Sequence, residues 1–133
     1  MTRDGRSEAA RRRELGRAGE DAAADFLRER GFRVVARNYH TTFGEIDIVA
    51  EKNGVLVFAE VKTGRAGSAV DPRAAFTSRK VARLYRAAMG FLERERPGED
   101  VDLRFDFLAV SRRGDDFDVE HYEAVSPGDY GVG

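Results

Sequence analysis

The pattern of hydrophobic and polar residues predicts two helices separated and followed by strands. From Glu14 to Arg30, apolar side chains recur at helical spacing, and Gly31 supplies a natural C-terminal stop. Apolar positions between Val81 and Leu92 trace a second helical face, which ends before Pro97. The residues before the first helix are polar and without clear periodicity, so we expect a flexible arm there.

Strand-like segments fill the rest of the pattern. A short β-prone run covers 32–36, and we interpret 37–43 as a connection. Glu45–Glu51 and Val55–Lys62 are separated by Asn53-Gly54, the strongest short-range signal for a β-hairpin with a type I′ turn. Two further strands are predicted at 101–110 and 117–125. These elements indicate an α/β fold without a regular βαβ array.

Length and composition favour one domain. The chain has 133 residues, of which 41% are hydrophobic. We therefore predict a flexible arm at 1–13, a domain at 14–125 and a disordered tail at 126–133. No apolar run is long enough to span a membrane and no signal peptide is evident, so we expect a cytoplasmic protein with no membrane partner. Because the chain contains no cysteine, any metal must be bound by oxygen or histidine ligands.

Positive charge is concentrated in one segment although the net charge is only −1. Residues 62–86 carry seven lysines and arginines against one acidic residue. This basic block could contact the phosphate backbone of a nucleic acid. Its candidate contacts are Arg65, Arg73, Arg79, Lys80, Arg83 and Arg86. Lys80 is the best single candidate, since it lies near the predicted start of the second helix, where exposed N–H groups also favour anions.

The predicted hairpin brings carboxylates together. If Asn53 and Gly54 form the turn, every pair of residues whose numbers add to 107 lies across the ladder, so Asp47 faces Glu60. Side chains alternate along a strand, so Lys62 projects on the same face as Glu60, with Glu45 opposite it. The other face is predicted to be apolar and to pack on the core. It carries Ile46, Ile48, Ala50, Val57, Ala59 and Val61.

Two facing carboxylates repel each other unless solvent or a cation separates them. Carboxylates with a backbone carbonyl and water suit Mg²⁺ or Mn²⁺, which prefer hard oxygen ligands. Such an ion can activate water and polarise a phosphoryl oxygen, while Lys62 could stabilise the developing charge or position the water. Alternatively, Asp47, Glu60 and Lys62 are ordinary charges on a solvated face of the sheet.

Several short motifs resemble those of the YraN family. They are GEDAAADFL at 19–27, RNY at 37–39, GEIDIVA at 44–50, FAEVK at 58–62 and RFDFLAV at 104–110. The resemblance implies a restriction-endonuclease-like fold similar to that of archaeal Holliday-junction resolvases. That fold has a central mixed sheet, a β-hairpin that carries the site and two flanking helices.

The resemblance also assigns roles to residues. Asp47 corresponds to the motif aspartate, and Glu60 with Lys62 to the Glu-x-Lys pair. Glu20 corresponds to an acidic residue of the first helix and is expected to contribute to metal binding. Ile46 stands where many related nucleases have proline, a position that provides no ligand.

These features lead to a functional hypothesis with open alternatives. The first is a Mg²⁺- or Mn²⁺-dependent DNA endonuclease, whose selectivity for branched DNA is suggested by the resemblance. The second is a non-catalytic DNA-binding or scaffold module that retains the nuclease fold. A third is a nuclease subunit that works only with a partner. The sequence does not separate the first from the third, DNA from RNA, or a monomer from a homodimer.

Overall fold

Five strands and two helices form the part of the protein that the structure describes. The computed structural model describes residues 5–64 and 77–125. In chain order the elements are α1 (Glu8–Glu29), β1 (Arg33–Thr41), β2 (Gly44–Lys52), β3 (Val55–Gly64), α2 (Ser78–Glu95), β4 (Asp102–Arg113) and β5 (Asp116–Tyr122). The strands make one sheet in the order β1-β2-β3-β4-β5, in which β3 and β4 are parallel and the other neighbours antiparallel. The predicted α/β fold with a mixed sheet is confirmed, and a restriction-endonuclease-like fold is compatible with it.

Both helices begin at side-chain caps. The Ser7 hydroxyl accepts a hydrogen bond from the N–H of Ala10, and Thr77 caps α2 in the same way through Lys80. Helix α1 starts at Glu8, six residues before the predicted start at Glu14, because a cap and helix-forming residues precede the apolar pattern. The predicted tail at 126–133 lies outside the described residues. Within the described part of the chain, neither helix is long and apolar enough to span a membrane.

Strand β1 is longer than its sequence pattern suggested. The predicted connection at 37–43 is wrong, since β1 continues to Thr41 and pairs with β2 as far as Thr41 and Gly44. The strand lies at the edge of the sheet, so its polar residues alternate between partial burial and solvent. His40, which was expected in a loop, is therefore a strand residue.

The hairpin turn and its register are as predicted. Asn53 and Gly54 have positive φ angles of 53° and 79°, as a type I′ turn requires. Lys52 pairs with Val55, and the ladder continues in the predicted register to Ile48 and Ala59.

The sheet is covered on both faces, which corrects the prediction of one apolar and one charged hairpin face. Ile48, Ala50, Val57 and Ala59 pack in the cluster that contains α1. Val49, Leu56 and Phe58 are also fully buried, but they pack against α2 on the other face. The parallel β3-α2-β4 connection places α2 on that face, so both sets of side chains are removed from water.

Candidate metal and nucleic-acid site

Strands β2 and β3 stop pairing beside Asp47. The last Cα pair of their ladder joins Ile48 to Ala59, one position short of the predicted pair of Asp47 and Glu60. Beyond it, the backbone N–H of Val61 donates to Oδ2 of Asp47 at 2.8 Å. The Asp47 carboxylate thus accepts a backbone hydrogen bond from the neighbouring strand, and this bond fixes its position between the two strands.

The alternation of side chains also changes at Asp47. Ile48 packs in the α1 cluster, whereas Ile46 packs in the α2 cluster together with Val49. On its other side, β2 pairs with β1 through Ile46 and Ile48 but not through Asp47. On β1 the residue without a partner in this ladder is Asn38, which has a positive φ angle of 50°. Asp47 therefore lies at a position where the regular alternation of the strand is broken.

Burial and mutual repulsion make the carboxylates near Asp47 hard to ionise. Desolvation, followed by the charge of Asp47, raises the pKa of Glu60 to about 7. Burial also raises the pKa of Asp47, with a further contribution from Glu45, although the hydrogen bond from Val61 opposes it. For Glu20, burial and then Asp47 raise the pKa to about 6. The structure therefore brings Glu20, Asp47 and Glu60 into one electrostatic cluster.

Helix α1 brings Glu20 to this cluster through a close contact with β3. Gly19 is buried, and a side chain at this position would overlap Thr63. The Asn38 amide lies between two carboxylates, and with its nitrogen facing them it donates to Glu20 Oε1 at 2.8 Å and Glu45 Oε1 at 2.9 Å. Asn38 is a site residue that the sequence pattern did not reveal, because its strand had been interpreted as a loop.

Helix α2 supplies positive charge from the other face of the sheet. Arg83 Nη2 lies 3.7 Å from Glu60 Oε2, and its Nη1 is 3.5 Å from the carbonyl oxygen of Glu45. Gly44 leaves room for this guanidinium, since a Cβ there would collide with it. The charges of Arg83, Lys80 and Lys62, in this order of size, lower the pKa of Glu60 and partly offset its burial.

The predicted phosphate contacts have different positions. Lys80 is the third residue of α2, as expected, and Arg79 beside it is exposed. Arg83 stays a predicted nucleic-acid contact, and its guanidinium lies beside Glu60. Lys62 is exposed on β3, and the predicted opposition of Glu45 and Lys62 is not part of the ladder. Arg65 and Arg73 lie outside the described residues.

The oxygen donors fit a hard divalent cation, although they do not form a complete cage. Within residues 5–64 and 77–125, no three acidic or histidine side chains are arranged as a ready metal site. Mg²⁺ commonly needs only one or two carboxylates, because it keeps several waters. Asp47 uses one oxygen for Val61 N–H, so its other oxygen and the carboxylate of Glu60 can act as ligands. Burial is the main cause of the raised pKa of both groups, and a neighbouring carboxylate adds to it.

The fold and the site define a class of α/β protein with a partly buried carboxylate cluster at the point where two central strands stop pairing. The model of the uncharacterised protein family UPF0102 matches residues 19–110, and the chain belongs to this family, the YraN family that its motifs resemble.

Relatives match most of the chain. A UPF0102 protein of Syntrophotalea carbinolica is 45% identical over 108 residues, which cover 81% of this chain and 87% of that protein. One from Thermotoga neapolitana is 38% identical over 109 residues, with coverage of 82% and 94%. A third, from Symbiobacterium thermophilum, is 46% identical over 98 residues, with coverage of 74% and 82%.

Proposed function

We propose that the protein is a divalent-metal-dependent DNA endonuclease that hydrolyses phosphodiester bonds. The observation that carries this proposal is that Asp47 and Glu60 lie close enough to repel each other while both are mostly buried. The exposed cation Lys62 lies beside them. Carboxylates whose pKa is shifted by burial and by a neighbouring charge cluster at functional sites. The electrostatic conflict is what a bound cation would relieve.

Each residue has a role in this proposal. Asp47 and Glu60 would bind Mg²⁺ or Mn²⁺, and Glu20 would assist from α1. The bound ion would polarise the phosphoryl group and favour ionisation of the attacking water. Lys62 stabilises the negative charge that develops on the phosphate as the water oxygen attacks phosphorus and the bond to the leaving oxygen breaks. Lys80 holds the substrate backbone near the start of α2.

A second candidate is a non-catalytic DNA-binding module with the same fold. The observation in its favour is the position of Arg83, which approaches Glu60 to 3.7 Å and supplies positive charge where a metal would act. In that case the carboxylates would order Arg83 instead of binding a metal. The two candidates differ in whether Asp47 is needed for turnover.

A cleavage panel tests the proposal. Labelled linear duplex, flap, fork and four-way junction DNAs are incubated with Mg²⁺, Mn²⁺ or EDTA. The wild type should cut with metal only, and the resemblance to junction resolvases suggests that the four-way junction is cut fastest. Asp47→Asn keeps an oxygen for Val61 N–H and should reduce the rate by at least about 100-fold. Glu29→Gln, an exposed change elsewhere on α1, is the matched control.

Either of two results would reject the nuclease. Cleavage that persists in Asp47→Asn would assign the activity to a contaminant or to a different site. Absence of cutting on every substrate, together with unchanged DNA binding by Asp47→Asn, would favour the non-catalytic module.

A further inference from the structure

The surface between α1 and the end of β3 contains a groove that borders the carboxylate cluster at Glu20. Its volume is about 440 Å³, and its lining includes Glu20 and Lys62 at one end and Arg12 at the other. A second depression of about 250 Å³ shares Arg12 and continues to Arg112 of β4. The two depressions share Leu15 as well, so they form one path from the site across the N-terminal half of α1.

The cations along this path are exposed and little engaged by acidic groups. Within the described residues, neither Arg12 nor Lys62 forms an ion pair or hydrogen bond within the protein, and both are exposed. Arg112 donates through Nε to the carbonyl of Gly114 at 2.9 Å, which leaves its terminal nitrogens for other partners. Arg11 lines the second depression too, but Glu8 pairs with it.

Gly16 keeps the floor of the groove open. Glycine in the interior of a helix costs about 1 kcal/mol relative to alanine. At Gly19 this cost has a packing reason, since a side chain would overlap Thr63, but a Cβ at Gly16 would meet no atom within 4 Å. Gly16 therefore serves no close contact within the described residues, and its lack of a side chain leaves space between Glu20 and Arg12.

We propose that this groove binds the phosphate backbone of DNA and leads it into the carboxylate site, with Arg12 and Arg112 as phosphate contacts. That the groove leads DNA to a cleavage site rests on the proposed nuclease function. That the groove binds DNA does not depend on it. Arg12 lies eight residues before Glu20, which is about 12 Å along the helix axis. That distance corresponds to roughly three phosphates of one B-DNA strand. The path differs from the basic start of α2, where Arg83 is already engaged by Glu60.

Binding without cleavage tests the groove. Fluorescence anisotropy with a short labelled DNA duplex is measured in EDTA, so metal-dependent cutting cannot interfere. At physiological salt, Arg12→Ala and Arg112→Ala should each weaken binding roughly fivefold, since one neutralised phosphate contributes about 0.9 to the slope of log K against log salt. That slope should flatten by about one unit for each variant.

Arg17→Ala is the matched control, since it removes the same charge from an exposed position of α1 that does not line the groove. A third variant, Gly16→Glu, places a carboxylate in the groove without a steric clash at Cβ and should weaken binding more than Gly16→Ala.

The outcomes separate this inference from the nuclease proposal. A protein that binds DNA through Arg12 and Arg112 but cuts nothing upholds the groove and loses the nuclease. A protein that cuts DNA, but whose affinity and salt slope change no more in Arg12→Ala and Arg112→Ala than in Arg17→Ala, upholds the nuclease and overturns the groove. Absence of measurable DNA binding by the wild type also overturns it.

Discussion

The backbone N–H of Val61 donates to the carboxylate of Asp47 at 2.8 Å, at the point where β2 and β3 cease to pair. This bond holds Asp47 between the strands, while Glu60, next to Val61 in the chain, adds a second mostly buried carboxylate. Both helices interact with the carboxylates at this end of the ladder. Glu20 of α1 acts electrostatically on Asp47, and Arg83 of α2 pairs with Glu60.

Metal binding should depend on both strand carboxylates. Calorimetry with Mn²⁺ should detect a site in the wild type that weakens at least about tenfold in Asp47→Asn and in Glu60→Gln, since each variant loses a charged oxygen ligand. Saturating Mn²⁺ should also raise the melting temperature of the wild type. Glu29→Gln should bind as the wild type does. Equal binding by all four proteins would contradict the site assignment.

The sequence predicted the hairpin well because its register depends on local chemistry. Asn53-Gly54 adopts the two positive φ angles of a type I′ turn, and a two-residue turn fixes every pair up to Ile48 and Ala59. The next pair could not be predicted, because the bond from Val61 to Asp47 and the change of face between Ile46 and Ile48 arise from tertiary packing.

Two other features escaped prediction for similar reasons. The polar sequence of β1 suggested a loop because an edge strand needs no continuous apolar face. The sequence pattern gives no sign that His121 is buried, yet its side chain is only 8% exposed and its Nε2 lies 2.7 Å from the fully buried Asp106. The parallel pairing of β3 with β4 and the packing of α1 over β5 help to bury this pair, and both are long-range contacts.

The charge of Glu60 should destabilise the metal-free protein. Burial, followed by the charge of Asp47, raises the pKa of Glu60 to about 7 in the folded protein. At pH values between the ordinary glutamate pKa and about 7, Glu60 is therefore protonated in the folded state and ionised in the unfolded state. Stability therefore falls as the pH rises through this range, and the full penalty is present above it. In EDTA at about pH 8, Glu60→Gln should melt roughly 4 °C higher for each kcal/mol relieved.

Excess Mn²⁺ should reduce or remove the advantage of Glu60→Gln, because the metal stabilises the tighter-binding wild type more than the variant. Thermal melts with and without the metal check both effects, with Glu29→Gln as the control. A lower melting temperature for Glu60→Gln in EDTA would show that the ion pair with Arg83 stabilises more than the burial of Glu60 costs.

Asp106 should support stability in the opposite pH direction. Burial raises its pKa, but hydrogen bonds from His121, Arg104 and the N–H of Ala124 outweigh this effect and hold the pKa below its ordinary value. Asp106→Asn should lower the free energy of unfolding by about 1–3 kcal/mol at neutral pH.

The stabilisation by Asp106 is complete above the ordinary aspartate pKa, and it is lost as the pH falls through the lower pKa that Asp106 has in the folded protein. The difference in free energy of unfolding between wild type and Asp106→Asn should therefore shrink below about pH 4. Urea titrations at neutral and acidic pH measure it. A difference that stays constant or grows on acidification would show that the carboxylate is not ionised in the folded protein.

Lys62 and Lys80 should separate chemistry from binding. Lys62→Ala removes the charge beside the proposed scissile phosphate, so cleavage should fall by about 100-fold or more while DNA affinity falls only modestly. Lys80→Ala removes a proposed contact to the DNA phosphate backbone near the start of α2, so binding should weaken for all DNA sequences alike. The slope of log K against log salt should flatten by about one unit. Its cleavage rate at saturating DNA should largely survive. Single-turnover rates and anisotropy on the same DNA distinguish the two effects, and unchanged cleavage by Lys62→Ala would remove this lysine from the mechanism.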